Sequence, residues 1–247
     1  MNYDWNWGVF WEPTITGEGR YIDWLLSGLG WTIAISLSSW IIALSIGTVL
    51  GVIRTLPGRS VRMATGAYVE LFRNIPLLVQ LFLWYYVVPQ LLPLDWQFWL
   101  NGLDPRVMQV GSVVLCLGLF TSARVCEQVR AGIEAQPGGQ KSAALALGLT
   151  LRQAYQYALL PMAFRIIIPP LTSEFLNVFK NSAVALTIGL LELTGQTRQI
   201  SEFSAQIFET FLAATSIYFL VTYLVSVAMR LLERSMRVPG FVGGARS

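Results

Sequence analysis

Residues 25–53 read LLSGLGWTIAISLSSWIIALSIGTVLGVI, a run with no acidic or basic side chain. A helix crossing a bilayer core of about 30 Å needs roughly 20 apolar residues, and this run exceeds that. Three further runs are equally free of charge: 74–94, 107–123 and 210–229. A fifth, 166–191, contains only Glu174 and Lys180. The pattern predicts an all-α fold, a polytopic membrane helical bundle of five transmembrane helices in one domain over 1–247. The expected spans are roughly 27–53, 75–94, 107–126, 163–192 and 211–232.

Composition agrees with lipid as the main solvent. Hydrophobic residues make up 54% of the 247-residue chain and charged residues 13%, with a mean hydropathy of +0.55. Soluble domains carry about 25% charged residues. The chain has no histidine, so a His-based zinc site or catalytic triad is excluded; no metal site is expected. Cys116 and Cys126 lie ten residues apart in one apolar stretch. Ten residues of helix turn about 1000°, so the two thiols do not share a face and read as packing residues. Residues 1–24 hold Asp4, Glu12, Glu18 and Asp23 against Arg20 alone, which is not the basic start of a cleavable signal. Trp5, Trp7, Trp11, Tyr21 and Trp24 suggest a segment at the membrane interface instead.

Basic residues set the orientation. With the N-terminus outside, the cytoplasmic segments hold Arg54, Arg59, Arg62, Arg73, Arg124, Arg130, Lys141, Arg152, Arg165, Arg230, Arg234, Arg237 and Arg246. That is thirteen of seventeen; the outer segments hold Arg20, Arg106 and Arg198. The positive-inside rule therefore predicts a multi-pass inner-membrane protein with its C-terminus in the cytoplasm. The net charge of +3 is topology rather than a nucleic-acid signature. Gly47 and Gly51 form a GxxxG suited to close helix packing. Pro169-Pro170 and Lys180-Asn181-Ser182 are expected to interrupt the fourth span, as transporter helices are interrupted where they line a cavity.

The loop over about 127–162 is the most informative segment. Ser142–Leu147 is a run of helix formers, and Gly148 is placed to end it. Thr150, with Gln153 three residues on, can form a capping box for a second helix over Leu151–Leu160 that stops at Pro161. Two short helices joined at a glycine make a rigid helix-turn-helix knob, suited to docking a partner.

Ser142-Ala143-Ala144, three residues, Gly148, nine residues, then Ala158, Leu159 and Leu160-Pro161 resembles the cytoplasmic signature of ABC importer permeases. That signature has Glu in place of Ser142 and Ile in place of Ala158. The flanks resemble the polar amino acid (histidine/glutamate-type) branch of the family: Glu70-Leu71-Phe72-Arg73 with Pro76-Leu77-Leu78-Val79-Gln80, then Glu127, Arg130, Gly132, Gly139-Gln140, and Phe179-Lys180-Asn181-Ser182. Phe72-Arg73-Asn74-Ile75-Pro76, residues 123–130 and the Asp4-Trp5-Asn6-Trp7 start are most similar to permeases of glutamate/aspartate importers.

The resemblance implies a non-enzymatic subunit. The chain has no Gly-x-x-x-x-Gly-Lys-Ser/Thr loop, so it is expected to hold no cofactor, with ATP and Mg bound by a separate ATPase dimer. Gly139, Gln140, Ser142, Ala143, Ala144, Gly148, Leu160 and Pro161 are the residues expected to couple to that ATPase. The other implied partners are a second permease, identical or related, and an external solute-binding protein. An acidic substrate needs cations on its path, and charges within spans are functional candidates. Arg124 can grip a carboxylate bidentately or snorkel from the end of the third span. Lys180 and Glu127 are the other path candidates. The competing readings are a permease for another polar amino acid such as glutamine, a membrane enzyme, and a membrane scaffold.

Overall fold

The computed structural model describes residues 3–17 and 19–236; Glu18, Arg237 and Arg246, used in the charge count above, lie outside the described residues. The described residues are almost wholly helical. A 3₁₀ turn, Trp7–Trp11, precedes α1 (Tyr21–Thr55), α2 (Arg59–Asn74), α3 (Leu77–Leu91), α4 (Leu94–Asn101), α5 (Pro105–Glu134), α6 (Gly139–Ala146), α7 (Leu151–Ile188), α8 (Leu193–Ser204) and α9 (Ile207–Met236). Four of these, α1, α5, α7 and α9, are each long and apolar enough to cross a membrane, and α2 with α3 makes a fifth if taken as one broken span. The break falls at Ile75, whose extended backbone is what a residue before proline adopts.

Several boundaries differ from the sequence expectation, each for a physical reason. The loop expected over 127–162 is confined to residues 135–150, because α5 continues to Glu134. Arg130 pairs with Glu127 at 3.0 Å and with Glu134 at 2.6 Å, at i,i+3 and i,i+4 spacing, which supports helix beyond the apolar run. The second loop helix does not stop at Pro161. A π-helical turn, Ala154–Leu159, leads directly into the segment Leu160–Asn181. A proline inside a regular helix lacks its N–H and crowds the preceding turn, and a π turn just before it loosens that geometry. Pro169 and Pro170 lie inside the same helix without ending it. The change of geometry comes at the other expected interruption, Lys180-Asn181-Ser182: the regular helix ends at Asn181 and a 3₁₀ segment, Ser182–Ile188, follows, closed by Gly189 at φ +83°.

The helices group into two compact units. The first comprises residues 1–40, 76–117 and 177–224. Ile35, Leu81, Val113, Leu117 and Ile188 form its main apolar core, and Cys116, a free thiol, is buried among them. Glu192 holds the start of α8 in this unit. Its carboxylate caps the helix, accepting from the N–H groups of Thr194 at 3.0 Å and Gly195 at 2.9 Å and from the Tyr218 hydroxyl at 2.9 Å. Near the N-terminus, Glu209 accepts the Asn6 N–H at 2.7 Å and the Tyr3 hydroxyl at 2.5 Å, leaving Trp5, Trp7 and Trp11 exposed.

The second unit comprises, among the described residues, 41–75, 118–176 and 225–236. Here a Cβ on Gly47 would stand 2.7 Å from the Ser122 carbonyl, and one on Gly51 2.8 Å from that of Cys126. The GxxxG thus brings α1 and α5 backbone to backbone. Tyr68 donates or accepts at 2.6 Å with Ser122, joining α2 to α5.

Candidate functional site

Two features of the second unit contain most of the residues named above as candidates. The first is the turn between α6 and α7. Gly148 has φ +82°, the left-handed region in which glycine is favoured, and a Cβ there would meet nothing within 4 Å. Thr150 and Gln153 form the capping box: the Gln153 N–H donates to Thr150 Oγ1 at 3.3 Å, and the Thr150 N–H to Gln153 Oε1 at 2.9 Å. Leu147, beside Gly148, is 83% exposed. The turn is tied back to α1 through Tyr155, whose hydroxyl donates to the Thr55 carbonyl at 3.1 Å while the Lys141 ammonium stands 5.7 Å from its ring. Gly139, Gln140, Ser142, Ala143 and Ala144 all lie on α6, and Leu160-Pro161 lie on α7 after the π turn.

The second feature is a cavity of about 400 Å³ lined by Arg73, Arg124, Glu127, Gln128 and Glu174. Arg124, Glu127 and Gln128 face it together because i, i+3 and i+4 share one side of a helix. Arg124 lies 3.7 Å from Glu174, with side chains 40% and 15% exposed, and its guanidinium stacks 4.8 Å from the Phe120 ring. Gln128 Nε2 donates to Glu174 Oε1 at 3.4 Å, while the buried Gln128 Oε1 has no hydrogen-bond partner among the described residues. The cavity thus offers guanidinium donors for carboxylates and a carboxylate for an ammonium, and a turn of the Gln128 amide would add its oxygen.

Of the sequence candidates, Arg124 and Glu127 meet in this cavity and Lys180 does not line it. Lys180 is exposed near the end of the segment Leu160–Asn181. Glu127 lines the wall, but its carboxylate is engaged by Arg54 and Arg130. Glu174, Arg73 and Gln128 were not singled out as path residues. The signal for Glu174 was present, since it is a lone carboxylate within a predicted span. Among the described residues no group of three or more His, Cys, Asp or Glu could hold a metal ion.

Long apolar helices, a polar cavity walled by paired charges and a structured turn define a polytopic membrane protein. The chain belongs to the family of binding-protein-dependent transport system inner membrane components, the permeases of ABC transporters; the family model matches residues 43–238. It is 50% identical over 245 residues to the glutamate/aspartate import permease protein GltJ of Escherichia coli K12, covering 99% of this chain and 100% of that one. It is 31% identical over 214 residues to the glutamate/aspartate import permease protein GltK of Escherichia coli O6:H1, covering 86% and 93%. A crystal structure of an amino acid ABC transporter with histidines aligns with a TM-score of 0.71 at 29% identity, covering 87% of this chain and 95% of that one.

Proposed function

We propose that the chain is a permease subunit of an ATP-driven importer for the acidic amino acids glutamate and aspartate. In this reading the N-terminus is outside and the C-terminus cytoplasmic. A separate ATPase dimer, binding ATP and Mg, engages the α6–Gly148–α7 turn. A second permease completes the path, and an external solute-binding protein delivers the substrate. The near full-length identity to a glutamate/aspartate permease supports the substrate class. The positive-inside bias supports the orientation. The exposed Leu147 beside a turn that the protein holds in one conformation supports docking.

The observation that carries the reading is the Arg124–Glu174 pair in its cavity. An acidic amino acid has two carboxylates and one ammonium. One carboxylate replaces Glu174 on Arg124, the other is within the province of Arg73, and the ammonium goes to Glu174 and Gln128 Oε1. Glu174 thereby neutralises Arg124 when no substrate is bound and is released to the ammonium when one is.

Uptake by vesicles with equal amounts of assembled complex tests this. A hydrogen bond to a charged group contributes about 1.5–3 kcal/mol, so Arg124→Tyr should slow glutamate uptake roughly ten- to a hundredfold. Arg124→Lys should retain part of the rate, because charge survives while the planar fork does not. Uptake at the wild-type rate by Arg124→Tyr would make Arg124 a snorkelling residue with no part in substrate passage.

A further inference from the structure

A second polar pocket, of about 260 Å³, lies in the first unit. Its walls come from the start of α1 (Ser27, Trp31), the turn into α5 (Asp104, Arg106, Gln109) and the chain around the start of α8 (Gly189–Leu191, Gln196). The framework is tightly built. Gln109 Nε2 donates to the Ile188 carbonyl at 3.0 Å, and Gly189 turns there at φ +83°. A Cβ on Gly28 would lie 2.9 Å from Gln196 Cγ and from Leu193 Cα, so only glycine lets α8 approach α1 this closely.

Two groups in this pocket have unused bonding capacity. Gln196 is 8% exposed, and among the described residues its buried Oε1 has no hydrogen-bond partner. Leaving a buried acceptor unmet costs about 1–3 kcal/mol, and a turn of this amide at the pocket wall would present the oxygen to a donor that arrives with a ligand. Arg106 stands with its guanidinium 5.9 Å from the Trp31 ring, and among the described residues no carboxylate pairs with that guanidinium. Asp104 lies beside it, one carboxylate oxygen accepting the Arg106 N–H at 2.7 Å. A free cation, a carboxylate and a buried acceptor are the complement of an α-amino acid backbone. The volume is slightly below the about 300–1,000 Å³ of drug-sized sites, which suits a molecule of about ten heavy atoms.

We infer that this pocket is a reception site for the α-amino acid being imported, with Arg106 taking the α-carboxylate and Asp104 and Gln196 Oε1 taking the ammonium. The inference rests on the transport reading and orientation above, which put these segments at the outer ends of the spans. It does not depend on the acidic side chain, because the contacts are to groups every α-amino acid carries.

The test is equilibrium binding of radiolabelled glutamate and, separately, glutamine to the purified full complex in nanodiscs, without the binding protein. An Arg124→Tyr background removes the other cavity's contribution. That background should still bind glutamate. Adding Arg106→Gln should weaken this binding about ten- to a hundredfold, and Arg106→Lys should weaken it less. Gln196→Leu removes the unmet oxygen; it should leave the melting temperature unchanged or raise it while weakening binding. A role in packing alone would not lower binding while sparing stability. If the Arg124→Tyr complex binds neither amino acid, or if Arg106→Gln leaves binding unchanged, the pocket is not a reception site. If Arg106→Gln alters only the affinity of the loaded binding protein, the pocket contacts protein and the inference falls. In the Arg124→Tyr background glutamine should bind about as tightly as glutamate; in complexes carrying Arg106→Gln instead, where only the Arg124 cavity is read, glutamine binding as tightly as glutamate would leave the reception site standing and count against the acidic-substrate reading.

Discussion

The Arg106 pocket and the Arg124 cavity use the same cation on the same helix and treat it oppositely. Arg106 has a tryptophan face and, among the described residues, no paired carboxylate. Arg124 has an aromatic face too, but Glu174 stands 3.7 Å away. An unpaired guanidinium open to water has little to release when an anion arrives. A guanidinium already facing a carboxylate must exchange partners, and the exchange is favourable only for a ligand that also satisfies the carboxylate it displaces. The first arrangement favours capture of any α-amino acid. The second favours discrimination, because a dicarboxylate without an ammonium leaves Glu174 uncompensated. On this reading the path admits loosely at one pocket and selects at the other.

The comparison is broken most severely at Glu127. This carboxylate lines the Arg124 cavity, yet it is committed to Arg54 and Arg130, and the Arg106 pocket has nothing equivalent. The three side chains are 20–32% exposed. Glu127→Ala leaves two partly buried arginines without their shared partner. That should cost about 1–3 kcal/mol, less than the about 3–5 kcal/mol of a fully buried pair. A lowered melting temperature of the assembled complex, with glutamate affinity per folded complex nearly unchanged, is the expected result. A selective loss of glutamate affinity at unchanged stability would make Glu127 a substrate residue after all.

Legibility in the sequence followed range along the chain. The turn at Gly148 and the Thr150–Gln153 capping box involve neighbours within a few residues, and both were readable from residue types alone. So was the tight helix approach at Gly47 and Gly51, because it depends on missing side chains. The Arg124–Glu174 pair joins residues fifty apart, and the Arg106 pocket joins three separate segments; neither has a spacing to read. Arg106 has only topological meaning in the sequence; the fold brings it into one pocket with Gln196. The helix ends failed for another reason. Apolar length marks where lipid begins, but Glu127, Arg130 and Glu134 extend α5 by local pairing, and the π turn carries α7 past Pro161.

Glu174 sharpens the contrast with a moderate effect. If it is the group that rejects ligands lacking an ammonium, Glu174→Gln should reduce discrimination between glutamate and glutarate by about tenfold, which is about 1.4 kcal/mol. Competition of each compound against labelled glutamate, in complexes carrying Arg106→Gln so that only the Arg124 cavity is read, measures this. Unchanged discrimination would mean that Glu174 serves only to hold Arg124 in place.

The smallest effect is expected at Gly148, which separates binding from coupling. The turn lines neither pocket, and its φ of +82° is a conformation that asparagine tolerates better than other residues with a side chain. Gly148→Asn should therefore slow uptake only about two- to fivefold, corresponding to about 0.4–1 kcal/mol at the turn. Glutamate binding should stay at the wild-type level in both pockets, since a Cβ at this position meets nothing in the chain. The same variant should lower the ATPase stimulation produced by loaded binding protein in proportion to uptake, because both pass through the docked turn. Measuring stimulation, uptake and equilibrium binding on one preparation distinguishes the cases. Parallel loss of stimulation and uptake at unchanged binding assigns the turn to coupling. A change in binding would mean that the turn communicates with a pocket, and a wild-type profile in all three would remove Gly148 from the coupling residues.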